Sequence, residues 1–251
     1  MSTTTAGPTV ALVHGAFADA SSWNGVIERL QAKGIPVTAP ANPLRGIAID
    51  SAYTASVFDQ IPGPVLAVGH SYGGAVITNA ASTAKNVVGL VYVAAFATEE
   101  GETLGEVEGS SKDSVLNSAL VMRQYPTGGG ESAVELAIDP AKFRDAFAAD
   151  LPVEMTASMA AAQRPIANVA FGEPGGPPAW KHLPTWAVVA TGDKAAGADV
   201  VRSMAERAGA TITEVEGSHV IMISQPQAVT DVILEAAAEV GQAAKHLAGA
   251  T

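Results

Sequence analysis

The sequence contains no cysteine and few charged or aromatic residues. With Cys at 0 among 251 residues, a disulfide framework, a thiolate metal site and a cysteine nucleophile are excluded. Lys and Arg number 14 against 25 Asp and Glu, and the resulting net charge of −11 would repel nucleic-acid phosphates and anionic lipid headgroups. We therefore expect neither a nucleic acid nor a membrane as a partner.

The sequence also lacks a long apolar run. Its first ten residues, MSTTTAGPTV, have neither the cationic start nor the apolar stretch of a secretory signal. The longest clean apolar run, around residues 87–97, is far shorter than the roughly 20 residues that span a bilayer. Hydrophobic residues nevertheless make up 48% of the chain, which is typical of a globular protein. The sequence predicts a cytoplasmic protein with one large domain or one domain carrying an insertion.

Short β-branched runs alternate with longer amphipathic stretches, the pattern of helices packed on both faces of a mostly parallel sheet. Most of the runs are nearly continuous apolar segments, as expected for strands buried on both faces. Six strands are predicted, over residues 9–13, 36–39, 65–68, 88–94, 186–190 and 211–215. Helices are predicted over residues 23–33, 53–60, 74–83 and 228–248. This is an α/β fold with a six-stranded sheet flanked by helices.

The alternation stops near residue 98 and resumes near residue 181. The segment between holds a glycine triplet at 128–130, an Ala-rich helical stretch near 139–163 and the breaker run PGGPP at 174–178. Because structureless loops of this length are uncommon in compact domains, we interpret residues 98–180 as an inserted cap of helices and loops. Residues 1–97 and 181–251 then form the core.

One pentapeptide carries the sharpest chemical signal. Gly69-His70-Ser71-Tyr72-Gly73 follows the apolar run VLAV and precedes a small-residue helix. In a Gly-x-Ser-x-Gly turn between a strand and a helix, the serine takes a strained conformation that presents its hydroxyl, and the helix points its amides at the same place. A glycine-rich chain produces this pattern by chance, but chance does not predict its position after a buried strand. Ser71 is the candidate nucleophile.

A serine hydroxyl needs a base to remove its proton, and five histidines are available. His219 is the best candidate, because it follows the last predicted strand and so lies at the same sheet edge as Ser71. His182 adjoins the cap boundary and His246 lies near the chain end, whereas His70 is expected to point away from the site. His14 belongs to the loop after the first strand.

The base in turn needs a carboxylate that fixes its tautomer. Asp193 follows the strand WAVVA and is favoured, although an aspartate in a turn is also common for structural reasons. Asp199, six residues further on, remains an alternative. Glu99 or Glu100, after the fourth predicted strand, is the other topologically possible acid.

An oxyanion requires hydrogen-bond donors that are already in place. The amide of Tyr72, at the start of the helix, is one candidate. The loop after the first strand reads Val13-His14-Gly15-Ala16-Phe17, and Gly15 would let the amide of Ala16 turn inward as a second donor.

The order Ser71, Asp193, His219, with His14-Gly15 upstream, resembles the α/β-hydrolase superfamily. The chain is most similar to the branch of small carboxylesterases that includes plant methylesterases, hydroxynitrile lyases and many bacterial hydrolases. The segments that carry the resemblance are VALVHGAFADASSW, VGHSYGG, YVAAFATEEGE and VEGSHVIMISQP. The resemblance implies that Ser71 is the nucleophile, His219 the base and Asp193 the acid, with the oxyanion hole formed by the amides of Ala16 and Tyr72.

Particular residues separate the branches of that superfamily. Members that attack alkyl halides or epoxides have aspartate at the nucleophile position and dienelactone hydrolases have cysteine, whereas this chain has Ser71. The similar hydroxynitrile lyases have threonine after the first-loop histidine and lysine after the catalytic histidine. This chain has Gly15 and Val220 there, which favours hydrolysis.

The sequence therefore predicts an esterase with a Ser-His-Asp triad, an acyl-enzyme intermediate and no metal or organic cofactor. Its expected partner is a small-molecule ester; the oligomeric state is left open. The alternative is a receptor-like hydrolase-fold protein that binds a small signal and hydrolyses it slowly. A mostly apolar pocket is expected, lined by Phe17, Val220 and the cap residues Tyr125, Met155 and Met159.

Overall fold

The computed structural model describes residues 7–249, with side chains described to residue 243. Within that range lie nine strands: β1 (Thr9–Val13), β2 (Val37–Thr38), β3 (Val65–His70), β4 (Val87–Val93), β5 (Leu120–Gly128), β6 (Glu131–Ile138), β7 (Ile166–Ala167), β8 (Thr185–Ala190) and β9 (Thr211–Val215). The helices are α1 (Asn24–Ala32), α2 (Ile47–Asp59), α3 (Tyr72–Ala80), α4 (Leu104–Ser110), α5 (Leu116–Ala119), α6 (Phe143–Phe147), α7 (Val153–Ala162), α8 (Val169–Gly172), α9 (Ala198–Arg207), α10 (Ile221–Ser224) and α11 (Pro226–Gly249).

Six of the strands form one sheet in the order β2-β1-β3-β4-β8-β9. Every neighbouring pair is parallel, so all six carboxyl ends lie at one edge. β3 is central and buried over its whole length, which explains its continuous apolar sequence. The predicted six-stranded parallel sheet is confirmed, and each predicted strand overlaps an observed one.

Helices flank this sheet. α11 packs against β4, β8 and α1, and α2 packs against α3. Although α11 runs over 24 residues, neither it nor any other helix in the described part of the chain has the length and apolar character needed to cross a membrane.

One helix is longer than predicted. α2 begins at Ile47, six residues before the predicted start at Tyr53. Its buried residues include Asp50, Ser51 and Thr54, and these polar residues on the core-facing side break the apolar periodicity. The shortfall in the prediction therefore comes from buried polar groups, one of which is described below at the site.

The inserted segment differs from the expectation. The prediction that residues 98–180 contain no strand is wrong, because β5, β6 and β7 form an antiparallel sheet within them. The glycine triplet makes the β5–β6 turn, with φ of +100°, +62° and +86° at Gly128, Gly129 and Gly130. Most of β5 is exposed and it contains Pro126, so it has neither an apolar run nor a clean alternation. Helices α6 and α7 occupy the predicted Ala-rich stretch.

Burial along the central strands predicts a large cost for truncating one side chain. Leu90 in β4 is fully buried, so Leu90→Ala should lower the free energy of unfolding by about 2–5 kcal/mol. Met122 in β5 is 78% exposed, and Met122→Ala should change it by less than about 0.5 kcal/mol. Urea unfolding followed by circular dichroism measures both. Equal effects of the two substitutions would contradict the assignment of β4 to the core.

Candidate active site

Ser71 lies in the tight turn between β3 and α3. Its φ of +53° and ψ of −124° are unusual for a residue with a side chain, and such strain costs about 1–3 kcal/mol. A Cβ on Gly69 would lie 2.6 Å from the carbonyl oxygen of Gly73, and a Cβ on Gly73 would lie 2.3 Å from that of Val13. Only glycine fits at either position, so the strand-turn-helix geometry expected from the pentapeptide is present.

His219 and Asp193 are in direct contact in the loops after β9 and β8. Nδ1 of His219 donates to Oδ2 of Asp193 over 2.8 Å, and both residues are 1% exposed. The other carboxylate oxygen, Oδ1, accepts the amides of Ala195 and Ala196 at 2.9 and 3.0 Å. The carboxylate thus has a fixed orientation. With its proton on Nδ1, the imidazole has Nε2 free to accept a proton.

The alternative acids are engaged elsewhere. Asp199 accepts hydrogen bonds from the Ser111 hydroxyl at 2.5 Å and the Lys112 amide at 2.8 Å. Glu99 pairs with Lys181 at 2.6 Å, and Glu100 is exposed. Of the four carboxylates that the sequence allows, Asp193 is the one in contact with His219.

His70, the residue that precedes Ser71, lies with its ring next to that of His219. The ring centroids of His70 and His219 are 4.7 Å apart. Ser71 is only 7% exposed, and its hydroxyl donates no hydrogen bond to any residue that the structure describes.

His70 contacts the histidine loop, contrary to the expectation that it points away from the site. Its Nε2 donates to the backbone carbonyl of His219 over 3.0 Å, and the side chain is fully buried. Burial holds the pKa of His70 well below its usual value, so the ring is neutral. His14 is also buried, His182 is exposed, and the side chain of His246 lies outside the described residues.

The loop after β1 carries the amide of Ala16 and is held in place by His14 and Asn42. Nδ1 of His14 donates to the Gly15 carbonyl at 2.8 Å, Asn42 N–H donates to Nε2 of His14 at 2.9 Å, and Asn42 Nδ2 donates to the His14 carbonyl at 3.0 Å. Burial lowers the pKa of His14, which keeps its Nε2 an acceptor. A Cβ on Gly15 would lie 2.7 Å from Cβ of Ser71, so this loop approaches the serine closely.

The backbone amides of Ala16 and Tyr72 are free to donate hydrogen bonds. Within residues 7–249, the amide of Ala16 donates to no other group. Tyr72 is the first residue of α3, so its amide has no acceptor within the helix. Ala16 and Tyr72 are 3% and 2% exposed, which places both donors where water competes little.

A buried carboxylate fixes the side chain of Tyr72. The Tyr72 hydroxyl donates to Oδ2 of Asp50 over 2.7 Å, and Asp50 also accepts the amide of Arg45 at 3.0 Å. Burial raises the pKa of Asp50, and burial together with the neighbouring carboxylate raises that of Tyr72. No sequence pattern indicates Asp50, because it lies in the first turns of α2, before the predicted start of that helix.

The inserted segment contributes two residues next to the base. Asp150 accepts the Ser218 amide at 2.9 Å and also the Ser218 hydroxyl, directly before His219. Burial alone would raise the pKa of Asp150, but the bonds from Ser218 outweigh it and hold the pKa below its usual value. The Phe147 ring lies 5.1 Å from the His219 ring. Neither residue was singled out from the sequence, where a Phe and an Asp in an Ala-rich stretch carry no signal.

Of the five residues expected to bind substrate, three line one cavity and two do not. Phe17, Met155 and Met159 line one cavity of about 360 Å³. Val220 is fully buried beside His219. Tyr125 lies on β5 with its ring 4.6 Å from the guanidinium of Arg45, and it does not line that cavity.

No group of three or more His, Asp or Glu side chains among the described residues is placed to hold a metal ion. Among the titratable side chains, His219 contacts both His70 and Asp193.

The sequence profile of the alpha/beta hydrolase family matches residues 10–232, and the chain belongs to this family. No curated protein sequence matches the chain.

Solved structures share the fold over nearly the whole chain. A pyrethroid hydrolase from Sphingobium faniae JZ-2 is 22% identical with a TM-score of 0.73, covering 92% of this chain and 97% of its own. Polyneuridine aldehyde esterase is 20% identical with a TM-score of 0.76, covering 91% and 98%. Tomato methylketone synthase I, solved with 2-tridecanone, is 20% identical with a TM-score of 0.74, covering 93% and 99%. At these identities the likeness is one of fold.

The buried Tyr72–Asp50 contact predicts a pH-dependent loss of stability. Tyr72→Phe removes a donor from the buried carboxylate and should lower the free energy of unfolding by about 1–3 kcal/mol at neutral pH. The pKa of Asp50 in the folded variant should rise further, so the deficit should shrink as the pH falls through that pKa and Asp50 becomes neutral. Tyr53→Phe is the matched control, because Tyr53 is 43% exposed. Denaturant unfolding at several pH values measures both variants. Equal stabilities of the two variants would show that the Tyr72–Asp50 bond does not stabilise the fold.

Proposed function

We propose that the protein is a serine hydrolase that cleaves small carboxylic esters through an acyl-enzyme intermediate. The observation that carries the proposal is the 2.8 Å contact between His219 Nδ1 and Asp193 Oδ2, together with a Ser71 held at φ +53° in the turn before α3. Family membership and the fold shared with a pyrethroid hydrolase and polyneuridine aldehyde esterase support it.

In this mechanism Ser71 attacks the ester carbonyl while Nε2 of His219 takes the hydroxyl proton. Asp193 stabilises the imidazolium that forms and keeps Nδ1 protonated. The C–O bond to the alcohol then breaks, His219 returns the proton to the departing alkoxide, and Ser71 is left acylated. Water, deprotonated by His219, releases the acid and restores Ser71. The chemistry calls for no metal or organic cofactor.

The negative oxygen of each tetrahedral intermediate would lie between the amides of Ala16 and Tyr72. Both amides are buried and free, so they supply preformed dipoles at low reorganisation cost. The bonds of His14 and Asn42 hold the first donor, and the Tyr72–Asp50 bond anchors the residue that carries the second.

The inserted segment, residues 98–180, acts in this proposal as a cap over the site. It supplies Phe147 against His219, Asp150 against Ser218, and the Arg164 carbonyl that accepts the Phe17 amide at 3.0 Å. Excluding water from the base and the oxyanion donors strengthens their electrostatic interactions.

Ser71→Ala should lower kcat/KM for p-nitrophenyl acetate by at least about 10³-fold while leaving the melting temperature intact. Ser203→Ala is the matched control, because Ser203 is exposed on α9, and it should retain wild-type turnover. A fluorophosphonate phosphonylates activated serines, because the serine oxygen attacks phosphorus and fluoride leaves. It should add to the peptide containing Ser71 and to no other, as mass spectrometry would show. Full activity in Ser71→Ala would overturn the assignment. Single-turnover cleavage with a ligand-dependent thermal shift would instead support the receptor-like alternative.

Asp193→Asn tests the contact between Asp193 and His219. The amide oxygen of Asn still accepts from Ala195 and Ala196, whereas its NH₂ group faces Nδ1 of His219 and favours the tautomer with its proton on Nε2. That tautomer cannot accept the Ser71 proton, so kcat should fall about 10³–10⁴-fold with little change in KM. Asp199→Asn, outside the contact, should retain activity. A comparable loss in Asp199→Asn alone would transfer the role to Asp199.

A further inference from the structure

A cavity of about 360 Å³ lies between the loop after β1, helix α7 and helix α10. Its apolar lining consists of Phe17, Ala18, Met155, Met159, Ala162 and Ile223. Ser71, Asp193 and His219 do not line it. Its volume falls within the roughly 300–1,000 Å³ range of small-molecule sites, so it is large enough for part of a substrate.

Phe17 separates this cavity from the reacting groups. Its side chain is 4% exposed, and its ring packs edge-on against Phe147 with centroids 6.1 Å apart. Phe147 in turn packs against His219, and Phe17 directly follows Ala16, whose amide is a proposed oxyanion donor. Phe17 therefore lines the cavity and adjoins Ala16 in the chain, while the rings of Phe17 and Phe147 lie in series between the cavity and His219.

The backbone holds Phe17 in this position under strain. Its φ is +60°, a conformation rarely adopted by residues with a large side chain, and its amide donates to the Arg164 carbonyl at 3.0 Å. A phenyl ring is thus kept at the boundary by a contact with the inserted segment. The residue next to Ala16, whose amide is a proposed oxyanion donor, is thus itself part of the cavity wall.

The lining favours an uncharged, flexible hydrocarbon. Asp19 is its one ionisable side chain, and the hydrogen bond from Ser21 lowers the pKa of Asp19, so the carboxylate would oppose an anionic ligand. Two methionines adapt their shape to an alkyl chain. Met155 is 46% exposed, so the cavity reaches the surface and its far end does not close on a rigid wall.

We propose that this cavity receives an uncharged alkyl chain of the ester and that Phe17 and Met159 determine the chain length the enzyme prefers. The inference rests on the proposed function. The alkyl chain belongs either to the acyl group or to the alcohol of the ester. The apolar lining of the cavity would contact an alkyl chain from either source in the same way.

The test measures kcat/KM across two ester series. One lengthens the acyl chain from p-nitrophenyl acetate to p-nitrophenyl decanoate, and the other lengthens the alcohol from methyl acetate to octyl acetate, followed by pH-stat titration. In the series whose chain enters the cavity, kcat/KM should rise about fourfold for each methylene that enters. A flat dependence in both series would overturn the inference.

Met159→Trp fills the cavity and should lower the ratio of long-chain to acetate kcat/KM at least about tenfold in that series. Ala157→Trp is the matched control: Ala157 is exposed on the same helix and outside the lining, so this variant should keep the wild-type ratio. Phe17→Leu replaces the ring at the cavity boundary with a smaller side chain and should raise the ratio of long-chain to acetate kcat/KM. Equal ratios in Met159→Trp and Ala157→Trp would overturn the role of Met159.

A binding measurement separates failure of this inference from failure of the proposed function. In Ser71→Ala, 1-octanol should displace the neutral fluorophore N-phenyl-1-naphthylamine, and Met159→Trp in the same background should abolish displacement. Displacement without ester turnover in the wild type would refute the hydrolase proposal while supporting the cavity as an alkyl site. Ester turnover without displacement or chain-length dependence would refute the cavity and leave the hydrolase proposal standing.

Discussion

The close approach of the turn after β3 to the end of β1 is the constraint on which the rest of the site depends. Gly73 packs so closely against the Val13 carbonyl that a Cβ would not fit. Gly15 packs equally closely against the side chain of Ser71. Ser71 takes its unusual backbone conformation at this contact, and Ala16 and Tyr72 are the residues that directly follow Gly15 and Ser71. Because the sheet is parallel, the loops after β8 and β9 end at the same edge and add Asp193 and His219.

His219 is restrained on three sides by chemically different contacts. Asp193 holds the ring through Nδ1, His70 holds the backbone carbonyl, and Asp150 holds the preceding residue through Ser218. His70 can do this as a donor only while it is neutral, and burial ensures that it is. The imidazole therefore has its orientation fixed before any ligand arrives, which is what proton transfer over a short distance requires.

The fold is predictable from the sequence because its causes are local, and the signals that indicate the candidate site residues are local as well. Buried parallel strands are continuous apolar runs, and the turn around Ser71 demands glycine at fixed spacing. The β5–β6 hairpin escaped prediction because exposed strands need no apolar pattern, and the early turns of α2 escaped it because Asp50 and Thr54 are polar yet buried. Phe147 and Asp150 act through contacts with residues about 70 positions away, and no spacing rule reports such pairing.

The contacts of Phe147 and Asp150 with the histidine loop have a consequence for exchanging parts between related proteins. In this family the core and the inserted segment look separable, since the chain leaves the sheet after β4 and returns at β8. Here the two both contact the loop that carries His219, because an aromatic ring and a carboxylate from the insert pack against residues 218 and 219. A chimaera that brought in a foreign insert without an equivalent pair would change the surroundings of the imidazole along with the substrate pocket.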